Sequence, residues 1–138
     1  MIVRRLGPGD EPVVARLAEQ GSSPRLPDLL ADERTIVLAA FERDELIGFV
    51  LAYELLRRHG DASHLFVYEV GVAAGRRRRG VATALFGELE GLARSRGIGR
   101  AFVLTNAANE PAMRLYDSLG GVRPNGDDVL WELEYTTD

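Results

Sequence analysis

The chain has 138 residues, 46% of them hydrophobic and 28% charged, with a net charge of -4. That length suits one domain, residues 1–138, with a real core, and an acidic balance argues against a nucleic-acid partner. There is no cysteine, which excludes disulfides, thiolate metal sites and a cysteine nucleophile.

All 17 basic residues are arginine, so lysine Schiff-base chemistry is excluded as well. His59 and His64, in "LLRRHGDASHLF", are the only imidazoles. A metal site needs several converging ligands, and none is expected here. No stretch reaches the ~18 apolar residues of a membrane span, and "MIVRRLGPGD" lacks the apolar core of a signal peptide. A cytoplasmic protein without a membrane partner is expected, and the acidic balance suits a cationic small-molecule substrate.

In chain order, "IVRRL" alternates as a first strand. Asp10 can cap a helix through about Gln20, with Val13, Val14, Leu17 and Ala18 on one face. "GSSPRLPDLLADE" reads as a loop with a helical turn at "PDLLAD". "TIVLAAFE" and "LIGFVLAYELL", separated by "RDE", form a hairpin, and "HLFVYEVGV" is the next strand. "GVATALFGELEGLARSRG" is a helix with a buried stripe at Val81, Leu85, Leu89 and Leu92, stopped by Gly97. "RAFVLTN" is a strand. Asn109 can cap the helix "EPAMRLYDSL", with Pro111 in its first turn and Gly120 at its end. "GVRP" and "VLWELEY" finish as strands around "NGDD". Hairpin-length links make strands two to four antiparallel, and the crossover from strand four to strand five makes that pair parallel. The fold class is α/β, a mixed (α+β) sheet with flanking helices.

The stretch "YEVGVAAGRRRRGVATALF" places four arginines between an apolar strand and a helix start. A helix N-terminus offers unpaired N–H groups and a positive dipole, which together bind phosphate. Gly80 lets backbone approach, Ala82 is small, Thr83 adds a hydroxyl, and arginine suits a pyrophosphate. Neither a Walker loop nor a dinucleotide fingerprint is present. Glu69 is the one carboxylate in the apolar run Leu65 to Val72.

These residues resemble the signature of the GNAT superfamily of N-acetyltransferases: Arg77-x-x-Gly80-x-Ala82, followed by Asn109, Ala112, Leu115, Tyr116, Leu119 and Gly120 of "NEPAMRLYDSLGG". "LPDLLADERTIVLAAFERDELIGFVLAYEL", "LFVYEVGV" and "RRGVATAL" are similar to the small aminoglycoside 3-N-acetyltransferases of the gentamicin type. The resemblance departs at Gly121, where the family often has a bulky residue.

The resemblance implies acetyl-CoA as co-substrate and a strand four that splays from strand five. The pantetheine arm pairs with backbone of Val70, Gly71 and Val72. Gly71 either frees the backbone at a bulge or is an ordinary strand glycine. The pyrophosphate lies against Arg77, Arg78, Arg79, Gly80, Val81, Ala82 and Thr83, with Arg76 simply solvated. Glu69 accepts the amine proton, directly or through water; the alternative leaves it on a solvent face. Tyr116 donates to the departing thiolate; the alternative is an amphipathic core tyrosine. Asn109 caps its helix and touches pantetheine, or caps alone. Asp28, Asp32, Glu33, Asp127 and Asp128 are substrate-contact candidates that double as ordinary surface acids. The expected reaction is direct acetyl transfer to a primary amine, an aminoglycoside first and another amine second, with a non-catalytic CoA-binding sensor as the reading of a different class. Dimers are frequent in the family, so a homodimer is one expectation, although no interface is legible.

Overall fold

The computed structural model describes residues 1–17 and 23–137. They divide into two compact units, residues 1–106 and 107–138. Each is described by itself.

The first unit is built on a five-stranded sheet in the order β1-β2-β3-β4-β5: Ile2–Arg5, Thr35–Glu42, Glu45–Leu55, His64–Val72 and Ala101–Val103. The first three pairings are antiparallel and β4–β5 is parallel. The mixed sheet follows from the link lengths. Arg43 and Asp44 suffice to reverse the chain between β2 and β3, both with positive φ (52° and 66°), the twist a two-residue hairpin demands. A crossover to a parallel strand needs a helix, and α3 (Val81–Ser95) supplies it.

Helix α1 covers Glu11–Ala15, and α2 covers Leu26–Ala31. The expected continuation of α1 through Ala18 to Gln20 lies outside the described residues. Asp10 does not cap α1 with its side chain. Its carboxylate turns back instead, accepting from the Gly7 amide (2.9 Å) and from the Arg4 guanidinium (3.0 and 3.1 Å). A charged partner outcompetes a helix amide, because hydrogen bonds between two ions are stronger. The Arg4 bond holds the Asp10 carboxyl below its usual range.

The sheet has an apolar layer on each face. Leu38, Val50, Ala52, Leu65 and Val67 pack under Val81, Leu85, Leu89 and Ala93 of α3. The other face sets Val37 and Ala39 against Leu6 and Leu30, with Val13, Val14 and Leu17 partly buried beside them. The fourth fully buried position of α3 is Ala93 rather than Leu92, which is only partly covered. Gly97 (φ +73°) ends α3: its amide donates to Arg94, and the Ile98 amide donates to Ala93. That pairing satisfies the last carbonyls, and Ile98, 3% exposed, adds the apolar contact that accompanies it.

The second unit holds α4 (Glu110–Ser118), capped as expected by Asn109, whose side chain accepts from the Ala112 amide at 3.2 Å. Gly120 (φ +83°) and Gly121 close it, donating to the carbonyls of Asp117 and Tyr116. A Cβ on Gly121 would lie 2.8 Å from the Tyr116 oxygen, so the absence of a bulky residue there is matched to this cap. "GVRP" and "VLWELEY" are not strands: residues 121–137 form no ladder, and Val129, Trp131, Leu133 and Tyr135 are exposed. Alternation gives a strand a face but not a partner, and a strand exists only with a partner. No helix among the described residues is long and apolar enough to cross a membrane.

Candidate active site

Strand β4 changes character in its middle. Leu65, Phe66 and Val67 pair with β5 through Ala101, Phe102 and Val103. Beyond Val67 the strand runs on to Val72 with no β5 partner. At the same place β4 carries one extra residue against β3: Leu51 faces Glu69, but Ala52 faces Val67. Tyr68 is the bulged residue.

Side chains alternate along a strand, so an extra residue reverses the alternation. Leu65 and Val67 belong to the α3-side core, and after the bulge so do Val70 and Val72. Tyr68 and Glu69 are neighbours in sequence, yet both line the opposite face. There they border an open cleft of about 1230 Å³, together with Phe49, Leu51 and Tyr53 of β3 and with residues of α1 and α2. Glu69 is exposed and borders this concave site, beside the stretch of β4 that no residue of β5 pairs.

Gly71 is not the bulge. A Cβ there would come within 2.5 Å of the Phe49 ring, and one on Gly48 within 2.8 Å of Val81. These two glycines serve close approach on opposite faces of the sheet. One lets Phe49 lie on β4 in the cleft, and the other lets the first residue of α3 sit down on β3.

The chain from Ala73 to Gly80 rounds the end of β4 from the cleft to α3. The Ala73 amide donates to Ile47 (2.9 Å), and Ala74–Arg76 forms a 3₁₀ turn. Arg76 is not simply solvated. Its guanidinium reaches Glu45 at 2.9 Å and Glu42 at 3.6 Å. Glu42 and Glu45 face each other across the hairpin, and like charges in that register repel, so Arg76 relieves the repulsion and ties the loop to the sheet. Arg77 lines the cleft, while Arg78 and Arg79 are exposed. Arg78 (φ +63°) and Gly80 (φ +78°) both take the left-handed region; only glycine does so without steric cost. The turn ends with Gly80 as N-cap of α3, where the Ala84 amide makes the first helical bond back to Gly80 and the first turn holds no acid. Val81, Ala82 and Thr83 thus present their amides at an uncontested helix start, which suits an anion.

Asp28 is ion-paired with Arg25 at 3.1 Å, and Asp32 accepts from the Arg34 amide. Glu33 lines a separate recess of about 390 Å³ with Arg5, Asp32 and Arg96. None of the three lines the Glu69 cleft. In the second unit, Tyr116 shares a partly buried face of α4 with Ala112, Met113 and Leu115, and burial raises its phenol above the ordinary value. Asp127 and Asp128 are exposed in a turn.

Tyr53, Tyr68 and Phe49 were not singled out by sequence reasoning. The phase change of the apolar positions, Leu65 and Val67 then Val70 and Val72, was the available signal for the bulge.

A family model described as the acetyltransferase (GNAT) family matches residues 10–120. No curated protein sequence matches significantly. Among solved structures, the chain is similar to an aminoglycoside acetyltransferase, HMB0005, from an uncultured soil metagenomic sample: 30% identity, 98% of each chain covered, TM-score 0.89. It is also similar to meta-AAC0020, an aminoglycoside acetyltransferase from the same kind of source in complex with sisomicin: 18% identity, 99% of this chain and 96% of that one, TM-score 0.79. A third similarity is to AAC(6')-Iy in complex with a bisubstrate analogue, CoA-S-monomethyl-acetylneamine: 15% identity, 98% of each chain, TM-score 0.79. The last two show the fold alone. The parallel β4–β5 pair that ends at Val67, the helix start behind the arginine loop and the extent of the family match lead to one conclusion: this chain belongs to the GNAT family and is an N-acetyltransferase.

Proposed function

We propose that the protein transfers acetyl from acetyl-CoA directly to a primary amine, with an aminoglycoside, at its 3-N position, as the first acceptor. The observation that carries this is the β4 bulge, which puts Glu69 in a cleft where β4 loses its β5 partner.

Bound acetyl-CoA supplies a thioester carbonyl that a neutral amine can attack. The chain's residues do the rest. The amides of Val81, Ala82 and Thr83, the left-handed turn at Gly80 and the guanidiniums of Arg77, Arg78 and Arg79 hold the pyrophosphate. The free backbone edge of Val70, Gly71 and Val72 holds the pantetheine arm as an added strand. An amine arrives as ammonium, with a pKa near 10 for an alkylamine such as the lysine side chain, and Glu69 accepts its proton, directly or through water. Tyr116 remains a protonated phenol at neutral pH, since burial raises its pKa, and serves as donor to the leaving thiolate, with Asn109 holding the start of its helix. The family match runs from residue 10 to 120, across the boundary of the two units, which supports one acetyltransferase domain over 1–138. The aminoglycoside assignment rests on the similarity to HMB0005. With that acceptor the activity would confer antibiotic resistance. Asp28, Glu33, Asp127 and Asp128 stay candidate contacts for more distant amines of such a substrate.

The test is release of CoA thiol with gentamicin-type aminoglycosides and, separately, with polyamines. Turnover of aminoglycosides, with the product acetylated at the 3-amine, is the expected result. Release with polyamines alone would remove the aminoglycoside, and tight acetyl-CoA binding without release from any amine would turn the protein into a sensor.

A further inference from the structure

The Glu69 cleft has a feature that proton transfer does not use. Tyr68 is 59% exposed, yet its ring is not loose. It meets the Tyr53 ring edge to face at 5.8 Å and the Phe66 ring likewise at 5.8 Å, and Phe66 stacks on Phe102 at 4.9 Å. A row of aromatic contacts across β3, β4 and β5 fixes a phenol that still shows much of its surface to the cleft. The bulge that turns Tyr68 to this face leaves one residue without a ladder partner, and its visible result is to put an aromatic ring and a carboxylate side by side.

The charges lining the cleft narrow what such a pair can hold. Glu69 is the one carboxylate there among the described residues, against the guanidiniums of Arg16 and Arg77. Charge alone therefore does not favour a polycation lodged whole. It favours a single ammonium at the Glu69 end, where an aromatic face adds attraction through its quadrupole.

We propose that Tyr68, braced by Tyr53, is a specificity-determining contact for the acceptor, receiving one carbon-flanked ammonium on its ring before Glu69 takes the proton. This rests on the amine-acetylation reading above. Tyr53 supports it, because burial, and next to it the Glu69 carboxylate, raise its phenol above the ordinary value, so the brace stays neutral where amines are protonated. The ring meets positive charge on the bound ammonium and again on the nitrogen as it bonds to the thioester carbonyl, so it strengthens binding throughout and does not speed the chemical step.

The experiment compares Tyr68→Leu and Tyr68→Phe by steady-state kinetics with one primary amine, together with a titration of the unsubstituted protein with tetramethylammonium, or with tert-butanol as its neutral isostere, read by NMR of the tyrosine rings. Tyr68→Leu is expected to raise KM about three- to tenfold with kcat held, while Tyr68→Phe, which keeps a ring, stays near the parent. Tetramethylammonium should shift the Tyr68 ring signals, and tert-butanol should not. An unchanged KM in Tyr68→Leu, an equal rise in both variants, or equal shifts from both probes would overturn the proposal. The titration needs no turnover, so a protein that acetylates no amine but binds tetramethylammonium at Tyr68 loses the acetyl-transfer reading and keeps the seat.

Discussion

The two halves of β4 obey different rules. From Leu65 to Val67 the strand is paired on both sides and alternates regularly, with Leu65 and Val67 almost wholly buried. From Tyr68 to Val72 it pairs with β3 but not with β5, is bulged at its start, and has no fully buried residue. The first half holds the sheet together. The second half gives up a ladder position and an edge partner, and in return exposes backbone, a ring and a carboxylate. Stability and chemistry are thus allotted to adjacent segments of one strand, and the bulge is the boundary.

That division can be broken from either side. The largest effect should come from Glu69→Gln, which keeps size and hydrogen-bonding capacity but cannot accept a proton as the carboxylate does. Turnover should fall at least about 100-fold, the lower end for a lost general base, with acetyl-CoA affinity by calorimetry and the urea midpoint unchanged. Leu65→Ala tests the other half. Removing a side chain that is 1% exposed should cost about 2–5 kcal/mol in urea unfolding, while the acetyl-CoA dissociation constant of the folded fraction stays the same. Gly71→Ala strikes the contact between β4 and β3. Its Cβ would stand 2.5 Å from the Phe49 ring, and the overlap should destabilise by about 1–3 kcal/mol; Phe49→Leu in the same chain should recover much of this, and an additive double mutant would refute the contact as its cause. The smallest effect is expected for Tyr68→Ala on stability, about 0.5–1.5 kcal/mol, the worth of an edge-to-face aromatic contact at a largely exposed position. A larger loss would mean that Tyr68 belongs to the structural half and would move the boundary.

Much of this was legible before folding. The hairpin strands "TIVLAAFE" and "LIGFVLAYEL" carry their own apolar patterns, and the stripe of α3 has its period. The Asn109 cap and the glycines ending α3 and α4 are local devices that involve only a few neighbouring residues. The arginine loop could be read because an uncapped helix start after Gly80 is also local. What failed depended on distant partners. Asp10 was a good cap by type, but Arg4 and Gly7 hold its carboxylate. Arg76 seemed one solvated charge of four, until Glu42 and Glu45 were set beside it by the hairpin. "VLWELEY" alternates like a strand, but no ladder forms among residues 121–137.

The sequence by itself determined the elements, the parallel crossover and the nature of the anion-ready loop, because hydrophobic period, link length and backbone freedom are properties of short segments. Only the tertiary structure decided that Tyr68 and Glu69 share a face, that Gly71 makes room for Phe49, and that β4 loses its partner where the carboxylate stands. A bulge is a mismatch in count between two strands, and neither strand contains that count alone.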